Sequence, residues 1–217
     1  MSFLPPEIRD VSAWYGPELA RRTDWIECLS AAEIAEVESP AKELEKSSVD
    51  LTTIAPDDAP LPTLGPRLGR LLQAVLGGRG FVLIRGLPVE RWTRREAAIA
   101  FLVIGVHFGR LLMQNADGHL LGHVFDELAS DPSLNLVMEF QPGDMQFVHN
   151  HTILHDRTAF EDFPEPERKR HLLRLWLAPP NARPLPKVYA ERFGSVTPGD
   201  RGGIVVEGSK PKILFEC

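Results

Sequence analysis

The segment Gly80-Phe-Val-Leu-Ile-Arg-Gly86, followed by Thr93 and Glu96, constrains the fold more than any other stretch. An apolar run closed by glycines is too short for a helix and reads as a buried strand. Thr93 and Glu96 have the spacing of a capping box, in which side chain and backbone satisfy each other's amides. That box predicts a helix over Arg94 to His107. Its apolar residues are nearly continuous, so the helix must be packed on more than one side. A buried strand leading into a buried helix calls for a mixed core.

The flanking segments divide the chain into a helical first half and a β-rich second half. Ser30 and Glu33 form another capping box, predicting a helix over Ala31 to Glu38 that Ser39-Pro40 interrupts. Leu44 to Leu61 carries turn residues and reads as connector. Pro66 to Leu76 reads as helix, closed by Gly77-Gly78. Further on, Leu134 to Phe140 and Met145 to Val148 read as strands around the turn Gln141-Pro-Gly-Asp144. Arg170 to Leu177 alternates for part of its length, while Ile204 to Val206 and Lys212 to Phe215 are marginal strands. The expected organisation is a helical arm and connector over 1–64 and one domain over 65–217. The fold class is α+β. Nineteen prolines favour turns and short elements over a helical bundle.

Composition then limits what such a domain can do. Hydrophobic residues make up 43% and charged residues 25%, enough to bury a core and unlike disorder, collagen or coiled coil. The net charge of -6 and pI near 5.7 give no electrostatic reason for nucleic acid or an anionic membrane as partner. A small organic anion needs a local cluster of arginines. Cys28 and Cys217 offer no disulfide framework, which suits a reducing compartment. No apolar signal region follows the first residues, and the run Ala97 to Gly109 is too short to span a bilayer. A cytoplasmic protein is the expectation.

Two clusters could carry chemistry. His149-Asn-His151-Thr-Ile-Leu-His155 concentrates imidazoles, the commonest neutral ligands for iron, zinc and copper, at a strand end. The same residues could equally be a polar loop bonded to backbone. In a strand, Arg170 and Arg174 share a face with Leu172 and Trp176. A guanidinium in such an apolar run needs a partner, and a carboxylate from the protein or from a ligand would serve. On this segment alone, a structural ion pair is the better account.

Several longer matches go further. Gly80 to Val89, Phe108-Gly-Arg110, Gln114-Asn115 with Gly118-His-Leu-Leu-Gly-His123, Pro142 to Phe147, Asn150 to His155, Arg170 to Leu177 and Gly194 to Gly203 resemble the TauD/TfdA-like (clavaminate synthase-like) dioxygenases. That family depends on iron(II) and 2-oxoglutarate. The resemblance implies a double-stranded β-helix, or jelly roll, and oxidation of a small organic substrate as 2-oxoglutarate is decarboxylated to succinate. By the same resemblance His155 matches the distal iron ligand and Arg174 the arginine that clamps the cosubstrate. Arg170 lies in the same pocket. His149 and His151 have no role in the pattern and remain weaker candidates for metal.

One part of the pattern is missing. The family places His-x-Asp or His-x-Glu upstream of the distal histidine, and none of the seven histidines here has an acid two residues later. His123-Val-Phe-Asp126 comes nearest, with the wrong spacing. Only Val124 to Glu139 separates His123 from Phe140, where the pattern has several strands, so the chain reads as internally shortened near 124–126. The expected fold is therefore a partial jelly roll with open sheet edges, through which copies of the chain could associate. With two of three metal ligands absent, the expectation is an impaired catalyst with no certain catalytic residue. A non-catalytic binding or oligomerisation module is one alternative. A cupin-type metal domain using His149, His151 and His155 is another.

Overall fold

The computed structural model describes residues 10–114, 117, 120–122, 136–153, 155, 165, 172–204 and 206–215. In chain order the elements are α1 (Gly16–Leu19), β1 (Ile26–Cys28), α2 (Ala31–Lys46), α3 (Leu64–Gly77), β2 (Phe81–Arg85) and α4 (Arg94–Val106). Then come β3 (Arg110–Leu112), β4 (Leu121–Gly122), β5 (Met145–Val148), β6 (Arg174–Ala178) and α5 (Ala190–Phe193). Short 3-10 turns lie at Pro56–Asp58, Val89–Arg91 and Lys187–Tyr189. The architecture is α+β. No helix of the described residues is long and apolar enough to cross a membrane.

Among the described residues the strands form two three-stranded sheets. In the first, β2 lies between β1, which is parallel to it, and β5, which is antiparallel. In the second, β6 lies between β3 and β4, both antiparallel to it. The unbroken apolar run in β2 is explained by its central place. Val82 and Ile84 face the main core, while Phe81 and Leu83 face a smaller cluster with Leu19 and Trp25. A strand covered on both faces needs apolar residues at every position. Burying each such side chain contributes about 1.5–3 kcal/mol.

Helix α4 is the centre of the main core. Both halves of the Thr93 capping box form, and the residues from Ala98 to Val106, Phe101 apart, are buried. Val37, Ala41 and Leu44 of α2 join the same core, as do Met145 and Phe147 of β5 and the partly buried Leu175 and Leu177 of β6. Gly105 lets β6 approach, since a Cβ there would stand 2.6 Å from Leu175 Cδ1. The main core thus includes residues on both sides of position 64.

Local signals misplaced several boundaries. Helix α2 does not stop at Ser39-Pro40 but runs on to Lys46 with Pro40 inside it. A proline there forfeits one backbone bond. The buried seam of Val37, Ala41 and Leu44 continues past it, and packing outweighs the local loss. Much of the expected connector from Leu44 is accordingly helix or turn. Helix α3 starts at Leu64, ahead of Pro66. Leu136 to Phe140 pairs with no strand among the described residues, although Leu136 and Met138 pack on the smaller cluster while Val137 is exposed. Leu136 and Met138 are partly buried and Val137 is not, as in a strand, but strand pairing does not follow from such burial. In the 170–177 segment the strand begins only at Arg174, and Arg170 lies outside the described residues. So do His123, Asp126 and the junction at 124–126.

Candidate functional site

The second sheet turns Leu175 and Leu177 toward α4, which puts Arg174 and Trp176 on its other face. Register adds Gly122, opposite Arg174, and Leu112, opposite Trp176. The Arg174 guanidinium stands 5.7 Å from the Trp176 ring. Its Nε donates to Gln114 Oε1 at 2.7 Å. Gln114 is 6% exposed, and its Nε2 donates to the carbonyls of Leu120 at 2.7 Å and Arg174 at 2.8 Å. One buried amide therefore aims the guanidinium. The terminal nitrogens of Arg174 have no hydrogen-bond partner among the described residues, and their planar fork suits a carboxylate.

A C-terminal strap covers one end of this face. Arg110, opposite Ala178, donates through Nη2 to the Arg201 carbonyl at 2.9 Å. The Ile204 amide bonds to the Met113 carbonyl at 2.8 Å, and that of Gly202 to the Phe193 carbonyl at 2.7 Å. Gly203 lies flush against Met113, where a Cβ would fall 1.8 Å from the carbonyl oxygen. Between these anchors Arg201 is 8% exposed. It donates through Nη1 to His151 Nε2 at 3.1 Å and through Nη2 to the Arg183 carbonyl at 2.9 Å. A guanidinium cannot accept, so His151 carries its proton on Nδ1.

The histidine turn follows β5 directly. The His149 amide bonds to the Gly80 carbonyl at 2.7 Å, and His149 Nδ1 meets Thr152 Oγ1 at 2.7 Å. The His149 and His151 rings meet edge-on with centroids 5.6 Å apart, and His149 Nε2 is buried without a partner among the described residues. Burial, then the charges of His151, Arg183 and Arg201, holds the His149 imidazole below its ordinary value. Burial and the same two arginines lower His151. His155 is exposed.

These residues do not fit iron(II). His151 Nε2 is taken by Arg201, the charges around both rings are cationic, and His155 is exposed. No three His, Cys, Asp or Glu side chains among the described residues converge on a point that could hold a metal. The cupin-type set of His149, His151 and His155 is likewise not assembled. Arg174, with its fork held by Gln114, could instead take a carboxylate.

The lowered imidazoles have a consequence for stability. Above about pH 6.5 both rings are neutral in the folded and the unfolded chain. Below that value the unfolded chain binds protons first, so stability falls as pH drops through the lowered folded values. NMR titration should place both imidazole midpoints below 6.5, and urea midpoints should decline from pH 7.5 to 5.5. Imidazole midpoints at or above 6.5 would contradict this account.

Sequence reasoning singles out Arg174 and the histidines and assigns no role to Gln114, Arg183 or Arg201. Gln114 had a visible signal, an amide among the apolar residues around Leu111 to Met113. Arg201 lies inside the Gly194 to Gly203 match, but nothing around it in the chain gives it a role, because its partners lie elsewhere.

Comparison with known proteins agrees with the sequence motifs. Residues 121–176 match the family described as "Taurine catabolism dioxygenase TauD, TfdA family". The chain is 34% identical over 124 residues to the "Taurine hydroxylase-like protein SAT17" of Stachybotrys chartarum, a match covering 57% of this chain and 32% of that protein. It is 41% identical over 73 residues to the "FR-33289 synthase" of Streptomyces rubellomurinus, covering 32% of this chain and 22% of that one. The matched part thus spans a third or less of either relative. Added to the motifs from Gly80 to Gly203, these matches support a TauD/TfdA-like dioxygenase family for the chain.

Proposed function

We propose that the chain is a shortened 2-oxoglutarate-dependent dioxygenase that keeps the arginine contact for the cosubstrate and does not activate dioxygen. Under this reading the two sheets are the remaining part of a jelly roll, joined across a shortened segment near 124–126. Arg174 carries the proposal, since its fork is aimed by Gln114 and its terminal nitrogens have no partner among the described residues. That contact orients one carboxylate of 2-oxoglutarate but moves no electrons. Iron(II) would have to supply the oxygen chemistry, and His155 alone cannot hold a metal low in the affinity order. The substrate of the complete reaction would be a small organic molecule, and the taurine in the fungal relative's name is one guide to its class.

The test uses protein whose intact mass agrees with 24.2 kDa, which also establishes the junction in the expressed chain. Incubation with iron(II), 2-oxoglutarate and ascorbate under air should give no succinate above the no-protein control. Calorimetry should show 2-oxoglutarate binding that Arg174→Ala weakens at least tenfold. Succinate production that His155→Ala abolishes would overturn the proposal and make the chain a working dioxygenase.

A further inference from the structure

The turn after β5 and the C-terminal strap bring four nitrogen-rich side chains together, separate from the contact made by Arg174. The buried Arg201 bonds His151, the His149 ring meets that of His151 edge-on, and the exposed Arg183 lies near enough for its charge to act on both imidazoles. No carboxylate pairs with any of the four among the described residues. Burying a guanidinium without an opposite charge costs several kcal/mol unless something supplies that charge. In a chain of net charge -6, a local cationic site of this kind is not a general property of the surface.

We propose that His149, His151, Arg183 and Arg201 form a binding site for a tetrahedral dianion of the phosphate or sulfate type. The charge matches, because two guanidinium groups balance two negative charges. The donors match as well. His149 Nε2 is buried and unbonded among the described residues, and its Nδ1 can accept from the Thr152 hydroxyl, which leaves Nε2–H to donate. Arg201 uses Nη1 and Nη2 on His151 and on the Arg183 carbonyl, which leaves Nε and the remaining N–H groups. Donors on separate side chains suit oxygens arranged as a tetrahedron better than the flat edge of a carboxylate. Arg201 is also held in advance. The strap is bonded through Arg110, Gly202 and Ile204, so little order is lost on binding.

The site is distinct from the cosubstrate contact. Arg110, which holds the Arg201 carbonyl, pairs with Ala178 at the far end of β6 from Arg174. At strand spacing, that separates the two ends by about 13 Å.

Isothermal titration at constant ionic strength, maintained with sodium chloride, tests the proposal with inorganic phosphate, sulfate and acetate as probes. Phosphate and sulfate should bind saturably at one site per chain, and acetate at least tenfold more weakly. Arg183→Ala and His149→Ala should each weaken phosphate at least fivefold, while Arg174→Ala leaves it within twofold. Arg183 is exposed and, among the described residues, bonds only through its carbonyl, so its truncation tests the site even if an Arg201 variant fails to fold. The proposal is overturned if neither dianion binds saturably or if acetate binds as well as they do. It is overturned equally if Arg174→Ala, and not Arg183→Ala, removes phosphate binding.

Discussion

Replacing Asp144 by alanine should lower the unfolding free energy by about 3–5 kcal/mol, the loss typical when one partner is removed from a buried ion pair. The Asp144 side chain is fully buried, whereas that of Arg85 is 23% exposed. Asp144 accepts from Arg85 Nε at 2.9 Å and Nη2 at 2.7 Å, and from the Gln141 amide at 2.9 Å. Arg85 closes β2 and Asp144 immediately precedes β5, so the pair fastens the entry of β5 onto the central strand. The turn between them tolerates little change. Gly143 has φ of 84°, and a Cβ there would stand 1.9 Å from the Leu87 carbonyl oxygen. Alanine at 144 would leave the Gln141 amide without its acceptor and the Arg85 charge with only the Glu139 carbonyl at 3.2 Å. Partial exposure of Arg85 lets water recover some of this, which favours the lower part of the range. Asp144→Asn retains one oxygen acceptor and should lose less. Urea unfolding of the two variants measures both, and an alanine variant within about 1 kcal/mol of the parent would refute the argument. Beyond stability, the effect reaches the site because β5 carries the histidine turn.

What could be read from the sequence was what neighbouring residues decide. The Thr93 box, the glycine-bounded β2 and the position of Arg174 opposite the Leu175 and Leu177 face all follow from periodicity and capping. The errors arose where distant packing decides. Pro40 remains inside α2 because the seam it interrupts is buried against α4, which no window around Pro40 reveals. Leu136 to Phe140 shows the alternation of a strand but satisfies it by packing, without a ladder among the described residues. The family resemblance supplied roles for His155 and Arg174, but a role does not carry its surroundings with it. Arg201 meets His151 only because the strap returns across the second sheet, fifty positions away in the chain. The cationic character of the histidine turn, which argues against iron there, therefore had no trace in the segment from His149 to His155.

Gln114→Leu should weaken 2-oxoglutarate binding at least tenfold, about 1.4 kcal/mol, through a residue that touches no ligand. Leucine has a similar volume, so packing around position 114 is largely preserved while three hydrogen bonds vanish. The carbonyls of Leu120 and Arg174 lose their donor in a buried setting, at about 1–3 kcal/mol for each group left unpaired. Stability should fall by about 2–6 kcal/mol on that account. The larger consequence is for Arg174, whose guanidinium would lose its one side-chain hydrogen bond among the described residues. A side chain with several rotatable bonds must then be ordered when the ligand arrives, and that entropy is subtracted from affinity. Gln114→Glu separates the two effects. It keeps an oxygen facing Arg174 but adds a negative charge, so it competes with the ligand carboxylate for the same fork. Its affinity loss should match or exceed that of leucine, while the guanidinium stays in place. Titration of 2-oxoglutarate into both variants, after circular dichroism has shown them folded, decides the matter. If a folded Gln114→Leu variant binds within twofold of the parent, Gln114 does not position Arg174 and the cosubstrate contact must be built in some other way.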